Sequence, residues 1–157
     1  MLIPSFEGSE LELHLAGHRW PLLEGGQQVL HWLRVPIRAL TPYGSVSFTD
    51  QCLLDWEAEQ IIDWLAAIAR SETVSPSIDF YEGTLAFDLV GSENDVVTLR
   101  CHLLSLIRYW TLAEGIDRNE MDGLHQQFYL MLTRNQLAHS AHELHEEFER
   151  LPVHSHK

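Results

Sequence analysis

Residues Thr49 to Arg70 read TDQCLLDWEAEQIIDWLAAIAR, and this stretch decides how the rest of the chain is arranged. Leu54, Ala58, Ile61, Ile62, Leu65, Ile68 and Ala69 recur at helical spacing, so one side of the predicted helix is apolar. Glu57, Glu59, Gln60, Asp63 and Arg70 fall on the opposite side, behind a polar opening at Thr49 and Asp50. Asp55 is placed to cap the free N–H groups of the first turn, and early acids with a late Arg70 suit the helix dipole. So much apolar helix surface needs another layer to cover. The flanking segments alternate with period two, and a sheet is the expected partner.

Working outward, Leu11 to Leu15 alternates as a short strand, and Glu24 to Gln28, with Gly25 and Gly26, reads as a loop. In Val29 to Leu40, Leu33, Val35, Ile37 and Ala39 lie on one side while Trp32, Arg34, Pro36 and Arg38 lie on the other. Pro36 has no N–H to give, so this strand is expected to be at an edge, bulged or interrupted there. Thr41 to Gly44 forms a tight turn into Ser45 to Thr49, with Val46 and Phe48 inward. Beyond the helix, Ser71 to Ser77 reads as a connection, and Asp79 to Tyr81 as a short strand. Leu85, Phe87 and Leu89 form the inward side of the next strand, GSEND at Gly91 to Asp95 a turn, and Val97, Leu99, Cys101 and Leu103 the inward side of the strand after it. Glu114 to Gly123 is a polar, acidic loop, and Gln126 to Thr133 is a last strand with Phe128, Leu130 and Leu132 inward. Thr133 and Gln136 are spaced as a capping box ahead of a second apolar stripe, Leu137, Ala141, Leu144, Phe148 and Leu151. Strands followed by a helix therefore occur twice, a two-half layout over 9–70 and 78–151. The expected architecture is one α+β domain over 1–157: a single curved, mostly antiparallel sheet with two amphipathic helices packed on one face.

The totals narrow the function classes. With 157 residues, 45% hydrophobic and 21% charged, the composition is that of a globular chain with one ordinary core. No apolar run reaches the ~18 residues of a membrane span, and MLIPSFEGSELEL lacks the basic and then apolar layout of a signal peptide, so a soluble, cytoplasmic protein is expected. Two cysteines, Cys52 and Cys101, one in each half, support neither a disulfide framework nor a zinc ribbon and are read as reduced and buried. The net charge of −13, from 10 basic and 23 acidic residues, repels phosphate backbones and anionic lipid and attracts basic partners. Neither nucleic acid nor membrane is an expected ligand. The plain alternative is that the acidity only keeps the chain soluble.

No residue pattern announces catalysis or a cofactor. There is no nucleophile elbow, phosphate-binding glycine loop or dinucleotide fingerprint, and His102, next to Cys101 on a strand, points to the opposite face. HSAHELHEE at His139 to Glu147 gathers His139, His142, Glu143 and Glu146 on one helical side, without the H-E-x-x-H order of a zinc protease. That side lies opposite Leu137, Leu144 and Phe148 and reads as a solvated face, adventitious divalent-metal binding being the alternative. The aromatics are more informative. Trp64 borders the buried stripe and reads as core, while Trp56, on the polar side, either tucks under the preceding turn or stands out as an interface anchor. On the wet sheet face, Trp32, Arg34, Arg100 and Tyr129 are of the types enriched in binding hot spots.

The run HWLRVPIRALTPYGSVSFTDQCLLDWEAEQIIDWLAAIA, from His31, resembles the WapI-type family of bacterial immunity proteins. The resemblance is carried by Trp32 and Leu33, the hairpin strand Ser45 to Phe48, the helix start Asp50, Cys52, Leu53, Trp56 and Glu57, then Asp63, Trp64 and Leu65, and the later Phe80 to Phe87 stretch. It implies a non-catalytic protein that binds and neutralises the toxic domain of a contact-delivered polymorphic toxin, such as a nuclease, in the cytoplasm of the producing cell. A cognate toxin with a basic surface would meet the acidic loop residues Glu114, Asp117, Glu120 and Asp122 together with the open-face residues Trp32, Arg34, Trp56, Arg100 and Tyr129. The competing reading is a structural or regulatory α+β domain that forms a homodimer through an edge strand or the open sheet face. A small enzyme is a third, and would need a pocket of converging polar groups.

Overall fold

A computed structural model describes residues 1–4, 8–18, 31–103, 110–117 and 127–153. Among these residues, nine strands and two helices follow in the order β1 (Leu2–Pro4), β2 (Glu10–Leu13), β3 (Trp32–Thr41), β4 (Gly44–Leu54), α1 (Asp55–Ala69), β5 (Ser77–Asp79), β6 (Leu85–Glu93), β7 (Val96–Leu103), β8 (Trp110–Leu112), β9 (Gln127–Thr133) and α2 (Arg134–Arg150). This is an α+β fold with every strand pair antiparallel.

The single sheet expected from the sequence is two. One has the order β1-β2-β3-β4-β8 and the other β5-β6-β7-β9. Among the described residues no ladder joins them, although β1 and β9 lie side by side with Cα atoms within 8 Å. The division has a topological cause. After α1 the chain does not return to the outer edge of β4, which β8 occupies, so β5 begins a new meander. Each meander runs directly into a helix, β4 into α1 and β9 into α2.

Period-two burial places the core. Leu33, Val35, Ile37 and Ala39 of β3, Val97, Leu99, Cys101 and Leu103 of β7, and Phe128, Leu130 and Leu132 of β9 are all buried. They join the apolar sides of both helices in one hydrophobic cluster, and the two helices also lie against each other. Burying this many large side chains at roughly 25 cal/mol per Å² of apolar surface supplies the main stabilising term. Cys52 and Cys101 are free and buried. Trp64 is buried near Phe87, and its indole N–H donates to the Ser75 carbonyl at 2.9 Å.

Several boundaries differ from the expectation. The helix begins at Asp55 instead of Thr49, because β4 continues to Leu54, with Leu53 opposite Leu33 and Leu54 opposite Trp32. Gln51 and Cys52 stand opposite Arg34 alone where the register shifts between Leu33 and Val35, and Asp50 is paired with Val35. That shift answers the question Pro36 raised: β3 is interior, between β2 and β4, and the irregularity is a bulge just before the proline. Glu93 is still in β6 and Val96 already in β7, so the turn is only Asn94 and Asp95, with Asn94 in the left-handed region at φ 54°. The short strand expected at Asp79 to Tyr81 lies two residues earlier, and β1 and β8 have no alternating signal long enough to read. At α2 the capping box forms as expected: the Thr133 hydroxyl accepts from Gln136 N at 3.2 Å while Gln136 Oε1 accepts from Thr133 N at 2.8 Å.

Polar ties lock α2 to the rest. Glu147 accepts from the Met1 amino group at 3.0 Å, from Leu15 N at 3.0 Å and from His14 Nδ1 at 2.7 Å. At the other end, the Arg134 guanidinium donates to the Ile68 carbonyl in the last turn of α1 and to Ser92 of β6.

Candidate functional site

The amino end of α1 is built on a buried carboxylate. Glu57 is 1% exposed and accepts two backbone N–H bonds, from Leu54 at 2.8 Å and from Tyr81 at 2.6 Å. The first satisfies an N–H at the helix start, and the second ties the β5–β6 turn to the helix. The sequence reading put Glu57 on the solvated side, and this is corrected: three residues past Leu54, its carboxylate folds back onto the helix start and is covered by the 80–83 turn. That turn is further held by Gly83 N donating to the Phe80 carbonyl at 2.8 Å and by the buried Phe80 ring.

Three aromatics adjoin this junction in different ways: Trp32 is opposite Leu54 in the β3–β4 ladder, Trp56 precedes Glu57 in α1, and Tyr81 is bonded to Glu57 through its backbone N–H. Trp32, half-buried, has its ring centroid 5.9 Å from that of Tyr81. Tyr81 is 69% exposed, and Trp56, the second residue of α1, is 37% exposed. Trp56 is thus partly open to solvent and not fully tucked under the preceding turn. Glu59 and Asp63 follow it on the same exposed side of the helix, and Asp50 and Glu82 are also exposed. Burial first, then the fields of Asp50, Glu57 and Glu82, pushes the Cys52 thiol up to about 12. Arg34, exposed, is two residues further along β3 on the Trp32 side, and its backbone pairs with Ala16.

A second group lies on the outer side of the other sheet. Asp88 Oδ2 accepts from Arg100 Nε at 2.8 Å and pairs with His102 Nε2 at 2.7 Å. His102 and then Arg100 hold the Asp88 carboxyl below its ordinary value. Tyr129, 45% exposed, sits opposite Arg100 in the β7–β9 ladder. Asp88 thus pairs with the arginine that the sequence reading placed among the contact candidates of the open sheet face.

Of the nine contact candidates, the seven that are described stand on different elements. Trp32, Arg34 and Trp56 belong with the first sheet and α1, and Arg100 and Tyr129 with the second sheet. Glu114 and Asp117 are exposed just past β8, whose following residue Ala113 donates to the Tyr43 carbonyl at 2.9 Å. Glu120 and Asp122 lie outside the described residues. Tyr81, Glu57 and Asp88 were not among the contact candidates read from the sequence. The signals existed, in the F-Y-E-G turn and in the β6–β7 register that sets Asp88 opposite Arg100.

On α2, His139 and His142 are exposed and pair with Glu143 at 3.4 Å and Glu146 at 3.5 Å, one turn along. Among the described residues no group of three or more His, Cys, Asp or Glu is arranged to hold a metal ion, and no helix is long and apolar enough to cross a membrane. The Cys101 thiol is raised by burial well above its ordinary value, so like Cys52 it stays a thiol. Of the concavities, a groove of about 410 Å³ runs between the helices, floored by Ile62, Ala66, Ala69 and Ala141. A smaller cleft of about 220 Å³ lies over the Glu12, His14 and Glu147 cluster.

No curated protein and no solved structure matches the chain. A protein-family model described as the immunity protein WapI-like family does, over residues 1–152. That span takes in both meanders and both helices, from the first residue of β1 to the last of α2. The chain belongs to the WapI-like immunity protein family.

Proposed function

We propose that this protein is a non-catalytic binding protein that neutralises a cognate polymorphic toxin domain in the cytoplasm of the cell that makes the toxin. The observation that carries this reading is the family match over residues 1–152. Charge supports it: at −13 the surface favours encounter with a basic domain, and complementary fields raise association rates more than they deepen affinity. A toxin acting on nucleic acid has a basic cleft, and an acidic protein seated on it would exclude the substrate. Contacts are drawn from Trp32, Arg34, Trp56, Arg100 and Tyr129, with Glu114, Asp117, Glu120 and Asp122 supplying charge. The test is co-expression in a bacterial host with the toxin domain encoded beside this gene. Restored growth and a co-purifying complex are expected. Undiminished toxicity and no complex, with the chain folded, would refute the reading.

A further inference from the structure

Exposed apolar side chains also occur singly elsewhere, as at Leu40 and Val90, and such isolated residues are ordinary. The amino end of α1 is different because its aromatics are held from beneath. Tyr81 gives most of its surface to water, yet its backbone N–H is bound by a carboxylate that is itself buried, its neighbour Phe80 is anchored in the core, and its ring rests near Trp32. Besides capping the helix start, this carboxylate holds the backbone of the turn that carries Tyr81, which removes conformational freedom the turn would otherwise lose on meeting a partner. Trp56 stands one residue before that carboxylate and shares its helix face with Glu59 and Asp63. Close to the rings along the chain are Asp50, Asp55, Glu59 and Glu82, all but the half-buried Asp55 exposed, and among the described residues Arg34 is an exposed cation two residues from Trp32 on β3.

We infer that the Trp32, Trp56 and Tyr81 patch is the docking surface for the toxin, and that it takes an exposed arginine- or lysine-bearing segment of that partner. The cation lies over the face of Trp56 or Tyr81, its alkyl stem covers apolar ring surface, and Glu59 and Glu82 set the approach. The inference rests on the toxin-binding reading and narrows it. The second-sheet group is disfavoured because its one arginine is already committed to Asp88.

Titration calorimetry with the toxin domain encoded beside the gene tests this, using the wild-type chain, Trp56→Ala, Tyr81→Ala and, as a control on β6, Val90→Ala, with thermal melts of each. Trp56→Ala and Tyr81→Ala are each expected to raise Kd about thirtyfold or more, and Val90→Ala to leave it within about twofold. Should either truncation unfold the chain, Glu59→Arg with Glu82→Arg serves instead: both positions are exposed, and the reversal is expected to slow association about tenfold or more at low salt. A complex that survives these changes, or one lost with Tyr129→Ala alone, overturns the inference and leaves toxin binding standing. A wild-type chain that forms no complex removes both. A chain whose own dimer dissociates on Trp56→Ala assigns the patch to a second copy, and also overturns it.

Discussion

Replacing Glu57 with alanine probes the junction on which the α1 patch is built. The carboxylate accepts from Leu54 N at 2.8 Å and Tyr81 N at 2.6 Å, and it is 1% exposed. A hydrogen bond to a charged group contributes about 1.5–3 kcal/mol, and a buried donor left unpaired costs about 1–3 kcal/mol. Leu54 N is buried and loses its partner outright, while the more accessible Tyr81 N recovers part of its loss from water. Alanine also relieves the desolvation of the carboxylate. The balance is about 3 kcal/mol of lost stability, or roughly 6–12 °C in melting temperature for a chain of this size. Glu57→Gln keeps one acceptor oxygen but turns an amide donor toward the other N–H, so about half that loss is expected. Urea unfolding followed by far-UV circular dichroism gives both values, and the near-UV signal reports the Trp32 and Tyr81 ring pair, which should weaken in both variants. A Glu57→Ala loss below about 1 kcal/mol, or unchanged near-UV signal, would refute the view that this carboxylate fixes the 80–83 turn.

Other perturbations test the remaining joints. Gly44 has φ +144° and a Cβ there would run into the Thr111 carbonyl oxygen, so Gly44→Ala is expected to cost about 2–4 kcal/mol and to expose β8 amides to hydrogen exchange ahead of those of β3. His14 is raised above 6.5, first by Glu12 and then by Glu147, against burial and the terminal ammonium, since both ring nitrogens face carboxylates. Its contribution is therefore fully present below about pH 6.5 and is lost as pH rises through the folded value. The unfolding midpoint of the wild type should fall relative to His14→Gln over that interval, and parallel curves would count against the bridge. Cys52 and Cys101 should resist a thiol-modifying disulfide reagent in the native state and react together in denaturant, as measured by released chromophore.

The inner sides of β3, β7 and β9 were legible in the sequence, because a sheet with one covered face imposes period two on burial. Leu33 to Ala39 and Val97 to Leu103 show it without a gap. The two helices were legible for the same reason at period 3.6, and the α2 start could be placed because Thr133 and Gln136 carry their own cap. The α1 start could not, since Cys52, Leu53 and Leu54 are buried in a strand and would be equally apolar in a helix; pairing with β3, a long-range contact, decides between them. Long-range pairing also decided that there are two sheets, that Asp88 meets Arg100, and that β8 joins the edge of β4. Glu57 marks the limit most clearly. Local periodicity assigns a glutamate to the wet side of a helix, and only the turn that arrives 24 residues later, offering an N–H to bind, makes its burial favourable.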